Sequence, residues 1–405
     1  MSKIDAYTQH ALDHIRYLSE DIGGRGSCTP KERAAAEYTA EQMRTLKAQN
    51  VRLEPYRGAP STYRPYALAF AAGLLGALLA WIFQARWALI LGALLNALGA
   101  WGMLAETDFA NNWTRWPVPK APSQNAVGVI PPQGQVRQRA VLCAHVDTHR
   151  TPIFYSSKSW QTLFSLLVGS ALFSMVISTL VYALGGTFGW SWARWIGLAA
   201  ALMEAFALVM SLHADFTPFS PGANDNASGV GVILGLAERL KEEPLANTEI
   251  WLVFTGCEEA AAYGMSAFLD RHATELGEEA VYIIIDQVGK GRIEYLTADG
   301  LIIKRATHPQ ALRLAREAAA TLPDLQTAEQ VGIAYTDAAV ATKRGLIALT
   351  LVAVPPPGSS ESIHWHQVSD TSDAIDLKCL INVHTYAWQL LQILDHPSPA
   401  IKRDS

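Results

Sequence analysis

The chain has 405 residues, of which 50% are hydrophobic and only 17% charged, with twelve tryptophans and a net charge of −5. This length leaves room for one large soluble domain and further segments. The low charged fraction is unusual for a purely soluble protein, and a negative net charge without a basic patch argues against a nucleic-acid partner.

Long uncharged runs carry the hydrophobic excess. Residues 65–85 and 87–105 contain no charged side chain, an uncharged run of 35 lies between Lys158 and Arg194, and a mostly apolar stretch continues to Leu212. About 20 apolar residues cross a bilayer core of about 30 Å, and tryptophan and tyrosine cluster at the run edges, as in an interfacial belt. We therefore predict an integral membrane protein with four transmembrane helices, near residues 66–83, 87–105, 162–184 and 193–212.

The arrangement of these helices leaves alternatives. The runs could be buried core or dimer-interface helices, and the link 84–86 contains no Gly or Pro, so the first two runs could form one long helix. A single span would separate two parts of the soluble fold, so we predict two hairpins with all soluble segments on one side. Because the first 64 residues hold ten Lys or Arg and no secretory signal, that side is predicted to be cytoplasmic.

The cysteines fit a reducing compartment. The four positions, Cys28, Cys143, Cys257 and Cys379, show neither metal-site nor disulfide spacing. Cys257 has no basic neighbour in sequence, so we interpret it as a small packed residue rather than a nucleophile.

Outside the apolar runs, helical and strand patterns alternate. Amphipathic helices are predicted at 5–20 and 30–48, the second begun by Thr29-Pro30. The remaining predicted strands are 125–130, 140–144, 248–254, 281–285, 293–296 and 346–352, and the remaining helices are 228–242, 261–272, 308–320, 337–344 and 373–394. This alternation predicts an α/β three-layer sandwich with a mostly parallel central sheet, interrupted by two helical hairpins.

Acidic and histidine side chains follow the predicted strands directly. His145-Val146-Asp147, Glu258-Glu259 and Asp286 each come just after a strand, and His366 lies in the loop after another. Sites in such sheets form at the strand C-terminal ends. Two imidazoles and several carboxylates are a ligand set that suits zinc or a similar divalent metal.

Asp225 lies in a polar loop, residues 219–229, that leaves an apolar run and opens a helix. A helix cap is the simplest interpretation of this window alone, because Asp, Asn and Ser side chains accept hydrogen bonds from the first N–H groups of helices. The strand-end clusters on either side favour a second interpretation, in which Asp225 is a metal ligand.

The order of the motifs resembles the co-catalytic di-zinc aminopeptidase family, whose relatives include glutamate carboxypeptidases, glutaminyl cyclases and the transferrin-receptor ectodomain. The family pattern is H-x-D, a G-A-D/N-D-N-A-S-G loop, E-E-x-x-x-x-G, a strand ending in D, and H-x-x-x-D-T. In this chain the motifs are His145-Val146-Asp147, Gly222–Gly229, Glu258-Glu259 with Gly264, Asp286–Gly289 and His366–Thr371. The resemblance extends to the N-terminal residues 24–27 and 34–38, and it leaves out the hydrophobic runs.

The resemblance implies a site for two zinc ions per chain. Asp225 would bridge them, His145 and Asp286 would complete one site, and Glu259 and His366 would complete the other. The spacing to the Asp370-Thr371 pair favours His366 over the neighbouring His364.

The resemblance also implies peptide-bond hydrolysis by an exopeptidase, most simply an aminopeptidase, and the apolar runs would anchor it in the membrane. Glu258 would be the general base for a water activated between the metals, and Asp147 would orient His145 by accepting its other ring N–H. The soluble peptidase fold would comprise residues 1–63, 107–158 and 214–405, with hairpins at 64–106 and 159–213.

Two alternatives follow from the same relatives. A glutaminyl-cyclase-like acyl transferase would use one zinc, and a catalytically silent membrane receptor or scaffold would have lost ligands, whereas this chain retains the full two-metal set. Metal content separates all three.

One departure from the family pattern bears on the substrate. The first histidine and the bridging aspartate, His145 and Asp225, lie 80 positions apart, and the second hairpin fills the gap. We therefore expect the site to open near the lipid bilayer and to accept hydrophobic peptides or the termini of membrane proteins. Glu204 falls inside the fourth run; such a residue is either functional or faces a polar cleft or a partner helix.

Overall fold

The structure is a computed structural model that describes residues 3–356, 359 and 364–396. The chain divides into two units. The first comprises the N-terminal residues to Pro60, then Lys120–His149, and the chain from Phe219 onward; the second comprises Ser61–Pro119 and Arg150–Pro218.

The described residues form the following helices, numbered in chain order: α1 Lys3–Arg16, α2 Pro30–Thr45, α3 Tyr63–Phe83, α4 Arg86–Thr107, α5 Lys158–Phe188, α6 Ala193–Asp215, α7 Ser228–Glu242, α8 Tyr263–Leu276, α9 Pro309–Thr321, α10 Asp337–Lys343 and α11 Leu377–Asp395. The strands are β1 Gln49–Gly58, β2 Ala121–Ile130, β3 Gln138–His145, β4 Thr248–Thr255, β5 Val281–Ile285, β6 Arg292–Asp299, β7 Arg305–Ala306, β8 Ala328–Val331 and β9 Ile347–Val354.

The first unit is built on a nine-stranded sheet with the order β1-β2-β4-β3-β5-β9-β6-β7, and β8 pairs with β6. The prediction of a mostly parallel sheet is wrong, because the sheet is mixed. Its centre, β4-β3-β5-β9, is parallel, whereas β1, β2, β6 and β7 pair antiparallel on either side. Strand direction depends on pairing partners distant in sequence, and alternating strand and helix patterns do not contain that information.

Helices cover both faces of the sheet, because successive strand residues point to opposite sides. Leu252 of β4 belongs to one buried core together with residues of α1, α2, α7, α9 and α11. Its neighbour Trp251 points the other way and packs edge-on against Phe268 of α8, with ring centroids 6.1 Å apart. The three-layer arrangement therefore encloses the parallel strands, and all five residues of β5 are buried.

Local signals explain where the helices of this unit begin. The Thr29 side chain accepts a hydrogen bond from the backbone N–H of Glu32, and Pro30 occupies the first turn of α2. Helix α11 begins later than predicted, at Leu377, because the Asp376 side chain caps it by accepting from the N–H of Lys378.

His384 of α11 supplies a prediction about pH and stability. It is fully buried and stacks on Tyr7 with ring centroids 5.7 Å apart. Burial, and then the charge of Arg239, lower the pKa of His384 from 6.5 to about 3. Because the unfolded chain binds a proton at its ordinary pKa and the folded chain does not, His384 costs no stability above about pH 6.5 and destabilises the fold as the pH drops below it.

We expect His384→Phe to reduce this acid sensitivity. Below pH 6.5 the contribution of His384 to the unfolding free energy falls by about 1.4 kcal/mol per pH unit. Between pH 6.5 and pH 5 the wild type should therefore lose about 2 kcal/mol more unfolding free energy than the variant. Denaturant unfolding at both pH values measures it. Equal pH dependence of the two proteins would contradict the buried neutral state.

The second unit contains α3 to α6, with 21, 22, 31 and 23 residues, and each helix is long and apolar enough to cross a membrane. The first two are separate helices: α3 ends at Phe83, and Gln84 adopts a left-handed conformation with φ of 49°. The crossing of a membrane stays a prediction.

Glu204 of α6 faces a partner helix within the second unit. It is fully buried, and a Cβ atom on Gly73 of α3 would lie 2.6 Å from Glu204 Oε2. The absence of a side chain at Gly73 therefore makes the space that the carboxylate occupies.

Candidate metal centre

The parallel strands bring the predicted site residues to one edge of the sheet. β3 ends at His145, Glu258 follows the end of β4, and Asp286 follows β5 directly. Since these strands are neighbours and run in the same direction, their C-terminal ends coincide. The loop before α7 and the segment before α11 supply Asp225 and His366.

One cluster forms around His145. Its Nε2 lies 3.2 Å from Asp225 Oδ1, 3.5 Å from Asp286 Oδ1 and 3.9 Å from Glu258 Oε2. All four side chains are buried. The ligand atoms of His145, Asp225 and Asp286 lie close enough together to hold one metal ion.

A second cluster forms around His366. Its Nε2 lies 3.1 Å from the other carboxylate oxygen of Asp225, Oδ2, and 3.3 Å from Glu259 Oε2. The two oxygens of Asp225 therefore face different histidines, the geometry that a bridging carboxylate requires. The structure thus brings together all five residues that the resemblance implied as ligands.

His149 is a member of the second cluster that was not among the predicted ligands. Its ring stacks on His366 with centroids 3.7 Å apart, and His149, Glu259 and His366 together could hold a metal ion. The available signal was its position four residues after His145. By contrast, His364 lies with Nδ1 2.8 Å from Ser369 Oγ.

The buried atoms of the two clusters fit divalent cations. Among the described residues, His145 Nε2, Glu258 Oε1, Glu259 Oε1 and Asp286 Oδ1 are buried and make no well-aligned hydrogen bond, although His145 Nε2 has acidic oxygens nearby. Buried polar atoms without partners are costly, and nitrogen and carboxylate oxygen atoms are ordinary zinc ligands. Zinc at this position would satisfy them.

The charges of the clusters support the same fit. Burial and then the charges of neighbouring carboxylates raise the pKa of Glu258 well above its ordinary value, although His145 opposes the shift. Burial raises the pKa of Glu259 to about 7. Asp225 is the exception: burial alone would raise its pKa, but the two histidines that face its oxygens outweigh burial and lower the pKa. An excess of buried carboxylates is the electrostatic environment that a cation stabilises.

Asp370 holds the Asp225 loop in place. Its Oδ1 accepts from the backbone N–H of Asn224 at 2.7 Å, and its Oδ2 accepts from the N–H of Asp225 at 3.0 Å. On the other side, the Asn226 amide donates to the carbonyl of Ile285 at 2.9 Å. The loop is therefore attached both to the His366 segment and to the end of β5, which fixes Asp225 between the two clusters.

Asp147 positions the turn that carries the two glutamates. Its Oδ1 accepts from the N–H of Glu258 at 3.1 Å and its Oδ2 from the N–H of Glu259 at 3.2 Å, while Ser27 donates to Oδ2 at 2.6 Å. The nearest acceptor to His145 Nδ1 is the Asp147 backbone carbonyl, at 3.0 Å, and the carboxylate is farther, at 3.6 Å. Asp147 thus contacts His145 chiefly through its main chain.

Arg25 is a positioning residue that the sequence interpretation did not single out. It is fully buried, and its guanidinium donates to the backbone carbonyls of Val146, Pro221 and Gly222 at 2.8, 2.7 and 2.9 Å. One side chain therefore ties the His145 segment to the Asp225 loop. Burial lowers its pKa to about 10, although Asp370 and Asp147 oppose the shift, so Arg25 remains charged at neutral pH.

We expect Arg25→Met to lower the unfolding free energy by about 3 kcal/mol or more, because several buried carbonyls lose their donor and each such loss costs about 1 to 3 kcal/mol. Thermal unfolding of the purified protein measures the effect. The matched control is Arg33→Met, which removes an exposed pair with Glu37 and should cost less than about 1 kcal/mol. Equal effects of the two substitutions would contradict the role given to Arg25.

Comparisons with known proteins find similar sequences and similar folds. Residues 199–391 match the model of peptidase family M28. Aminopeptidase YwaD of Bacillus subtilis is 41% identical over 81 residues, which are 20% of this chain and 18% of that protein. The chain therefore aligns with about a fifth of this curated relative's length.

Solved structures extend the similarity over the whole fold. A zinc aminopeptidase of Bacillus subtilis superposes with a TM-score of 0.57 at 16% identity, covering 95% of this chain and 94% of the other. A glutaminyl cyclase of Bacteroides thetaiotaomicron superposes with a TM-score of 0.53 at 15% identity, covering 95% and 97%. At such identities the similarity shows the fold alone. Residues 199–391 therefore resemble peptidase family M28, and the whole chain shares the fold of these solved structures.

Proposed function

We propose that the protein is a membrane-anchored exopeptidase, an aminopeptidase, that uses two zinc ions per chain. The observation that carries the proposal is the position of Asp225, whose two carboxylate oxygens lie 3.2 and 3.1 Å from the Nε2 atoms of His145 and His366. Asp286 completes one set of ligands and Glu259 the other, and His149 is an additional candidate in the second set.

Bound zinc would polarise the scissile carbonyl and lower the pKa of water. Glu258 would take the proton from the attacking water and pass it to the departing amine. Its position supports this role, since Glu258 directly precedes the candidate ligand Glu259 and its Oε2 lies 3.9 Å from His145 Nε2. Asp147 would keep Glu258 in position through the backbone hydrogen bond described above.

A metal-dependent assay against matched peptides tests the reaction. We expect hydrolysis of peptides with a free amino terminus, no hydrolysis of the same peptides after acetylation of that terminus, and loss of activity on chelation followed by recovery with zinc. Cleavage of blocked peptides from the carboxyl end would contradict the aminopeptidase assignment, and the protein would then be an exopeptidase that acts at the carboxyl terminus.

Metal content tests the alternatives on the same preparation. Two zinc ions per chain support the peptidase, one supports a glutaminyl-cyclase-like acyl transferase, and none supports a silent receptor or scaffold. The similarity to both aminopeptidases and a glutaminyl cyclase makes this measurement informative, and the two clusters around Asp225 favour two ions.

The membrane part of the proposal rests on α3 to α6. We expect the protein to stay in membranes after alkaline carbonate extraction. We also expect a protease added to spheroplasts to leave the first unit intact, because that unit is proposed to be cytoplasmic. Release by carbonate would contradict the membrane anchor, and digestion of the first unit in intact spheroplasts would contradict the orientation.

The substrate proposal rests on chain connectivity. Arg150 begins the second unit and directly follows His149, a member of the second cluster. We propose hydrophobic peptides or membrane-protein termini as substrates. Equal turnover of soluble and membrane-inserted peptides with the same amino-terminal residues, by protein reconstituted in vesicles, would contradict this proposal.

A further inference from the structure

Two cysteines that are distant in sequence lie in contact beside the candidate centre. The Sγ atoms of Cys28 and Cys257 are 3.3 Å apart, although 229 positions separate the residues. Cys257 is fully buried, whereas Cys28 is partly exposed. A Cβ atom on Gly58 would lie 2.5 Å from the Cys257 sulfur and 3.2 Å from the Cys28 sulfur, so the glycine makes the space in which the sulfurs meet.

A buried carboxylate holds both cysteines in this arrangement. Glu32 Oε1 accepts from the backbone N–H of Cys257 at 2.8 Å, and Oε2 accepts from the N–H of Cys28 at 2.9 Å. The Cys257 thiol also donates to Glu32 Oε1, with a sulfur–oxygen distance of 3.4 Å. Ser123 donates to Oε2 at 3.0 Å. Glu32 therefore holds the two thiols next to each other. Glu32 is itself neither a candidate metal ligand nor the proposed base.

The pair is covalently next to the proposed base. Cys257 directly precedes Glu258, whose backbone N–H is fixed by Asp147. Cys257 is also one of the residues with a positive φ, at 48°, so the turn that leads from β4 to the glutamates passes through a restricted backbone conformation at this residue. Cys257 is thus joined to Glu258 through a short turn with a restricted conformation.

We propose that Cys28 and Cys257 are a redox-modification site, at which hydrogen peroxide converts the thiol pair into a disulfide. The Cys28 sulfur attacks one peroxide oxygen, an S–O bond forms, the O–O bond breaks, and the departing hydroxide takes the Cys28 thiol proton to become water. The Cys257 sulfur then attacks the Cys28 sulfur, the S–S bond forms and the S–O bond breaks. The second departing hydroxide leaves as water with the Cys257 thiol proton. The two sulfurs lose two electrons and the peroxide gains them.

Disulfide formation alters the geometry behind Glu258. A disulfide bond is about 2.05 Å long, so the sulfurs must approach from their present 3.3 Å. Displacements of about 1 Å at a catalytic group can reduce turnover about 100-fold. This consequence rests on the proposed peptidase function, and oxidation is expected to lower kcat reversibly.

The modification itself is tested without any activity assay. The purified full-length protein is treated with hydrogen peroxide at about one equivalent, and its intact mass and its peptides under non-reducing conditions are measured. We expect a mass lower by two hydrogen atoms and a peptide pair that joins Cys28 to Cys257. Cys28→Ser should abolish this product, whereas the control Cys379→Ser, which changes a buried thiol that donates to the Val288 carbonyl, should retain it.

Failure takes a distinct form at each step. The proposal would be overturned if Cys28 and Cys257 were recovered as two free thiols. It would also be overturned if Cys28 were oxidised to a sulfinic acid without a cross-link. If Cys28→Ser does not fold, Cys28→Ala gives the same comparison. If the cross-link forms and peptide hydrolysis is unchanged, the effect on Glu258 is refuted; if no peptide is hydrolysed even under reducing conditions, the proposed function fails while the cross-link remains measurable.

Discussion

Replacing Glu258 with glutamine is expected to lower kcat by about 100- to 10,000-fold, the range that a positioned general base contributes, while both zinc ions stay bound. Glutamine keeps the size of the side chain and its backbone contact with Asp147, but its amide cannot accept a proton at neutral pH. Steady-state kinetics with a free-amino-terminus peptide, and zinc content by mass spectrometry, measure the two effects on one preparation.

The control for this substitution is Glu278→Gln, which changes the same residue type at an exposed position and should leave kcat unchanged. Turnover by the Glu258 variant within threefold of the wild type would assign the proton transfer to another group. Loss of zinc in the same variant would instead make Glu258 a ligand, a role compatible with its Oε2 lying 3.9 Å from His145 Nε2.

The second large effect is expected for Asp225→Asn. An uncharged amide cannot bridge two cations as a carboxylate does, so the variant should bind fewer than two zinc ions. Its activity should fall by more than about 100-fold, which is the upper end of the loss seen for residues that only support metal ligands. The fold should persist, because the backbone N–H of Asp225 still donates to Asp370 at 3.0 Å. Zinc content, activity and thermal unfolding separate these outcomes.

Asp324→Asn, at an exposed turn, serves as the matched control and should retain both metals. If Asp225→Asn bound two zinc ions with unchanged affinity, the bridging role would be wrong, and the original alternative of a helix cap would regain support. Added zinc should not restore the activity of the variant at concentrations that saturate the wild type.

Several helices could be predicted from local sequence patterns. The helices α3 to α6 follow from uncharged runs of sufficient length, and α2 begins where Thr29 and Pro30 indicate. His145, Glu258 and Asp286 could be predicted to lie together because each ends or follows a strand and the parallel strands end at one edge. Asp225 follows no strand and was added through the resemblance of the motif order. The separation of α3 from α4 was predicted from the need to keep the soluble segments on one side, because the left-handed turn at Gln84 has no glycine or proline to signal it.

Other features depend on contacts between distant segments. The mixed sheet was not predictable, because β1 was not recognised as a strand and its antiparallel pairing with β2 joins segments separated by more than 60 residues. Asp370 had no assignable partner in the sequence, since its partners are backbone N–H groups of the Asp225 loop. His149 was not among the predicted ligands, because its stacking on His366 exists only in the folded chain.

The sequence by itself determined the lengths of the apolar helices and most helix and strand positions, because these depend on composition, periodicity and spacing along the chain. The set of candidate metal ligands followed from the resemblance of the motif order to a known family. Only the tertiary structure decided which oxygen of Asp225 faces which histidine, that Arg25 ties two segments of the centre together, and that Cys28 meets Cys257. The physical reason is that hydrogen bonds and sulfur contacts act over a few ångströms. Residues separated by many positions come within that range only when the sheet and its helices have packed.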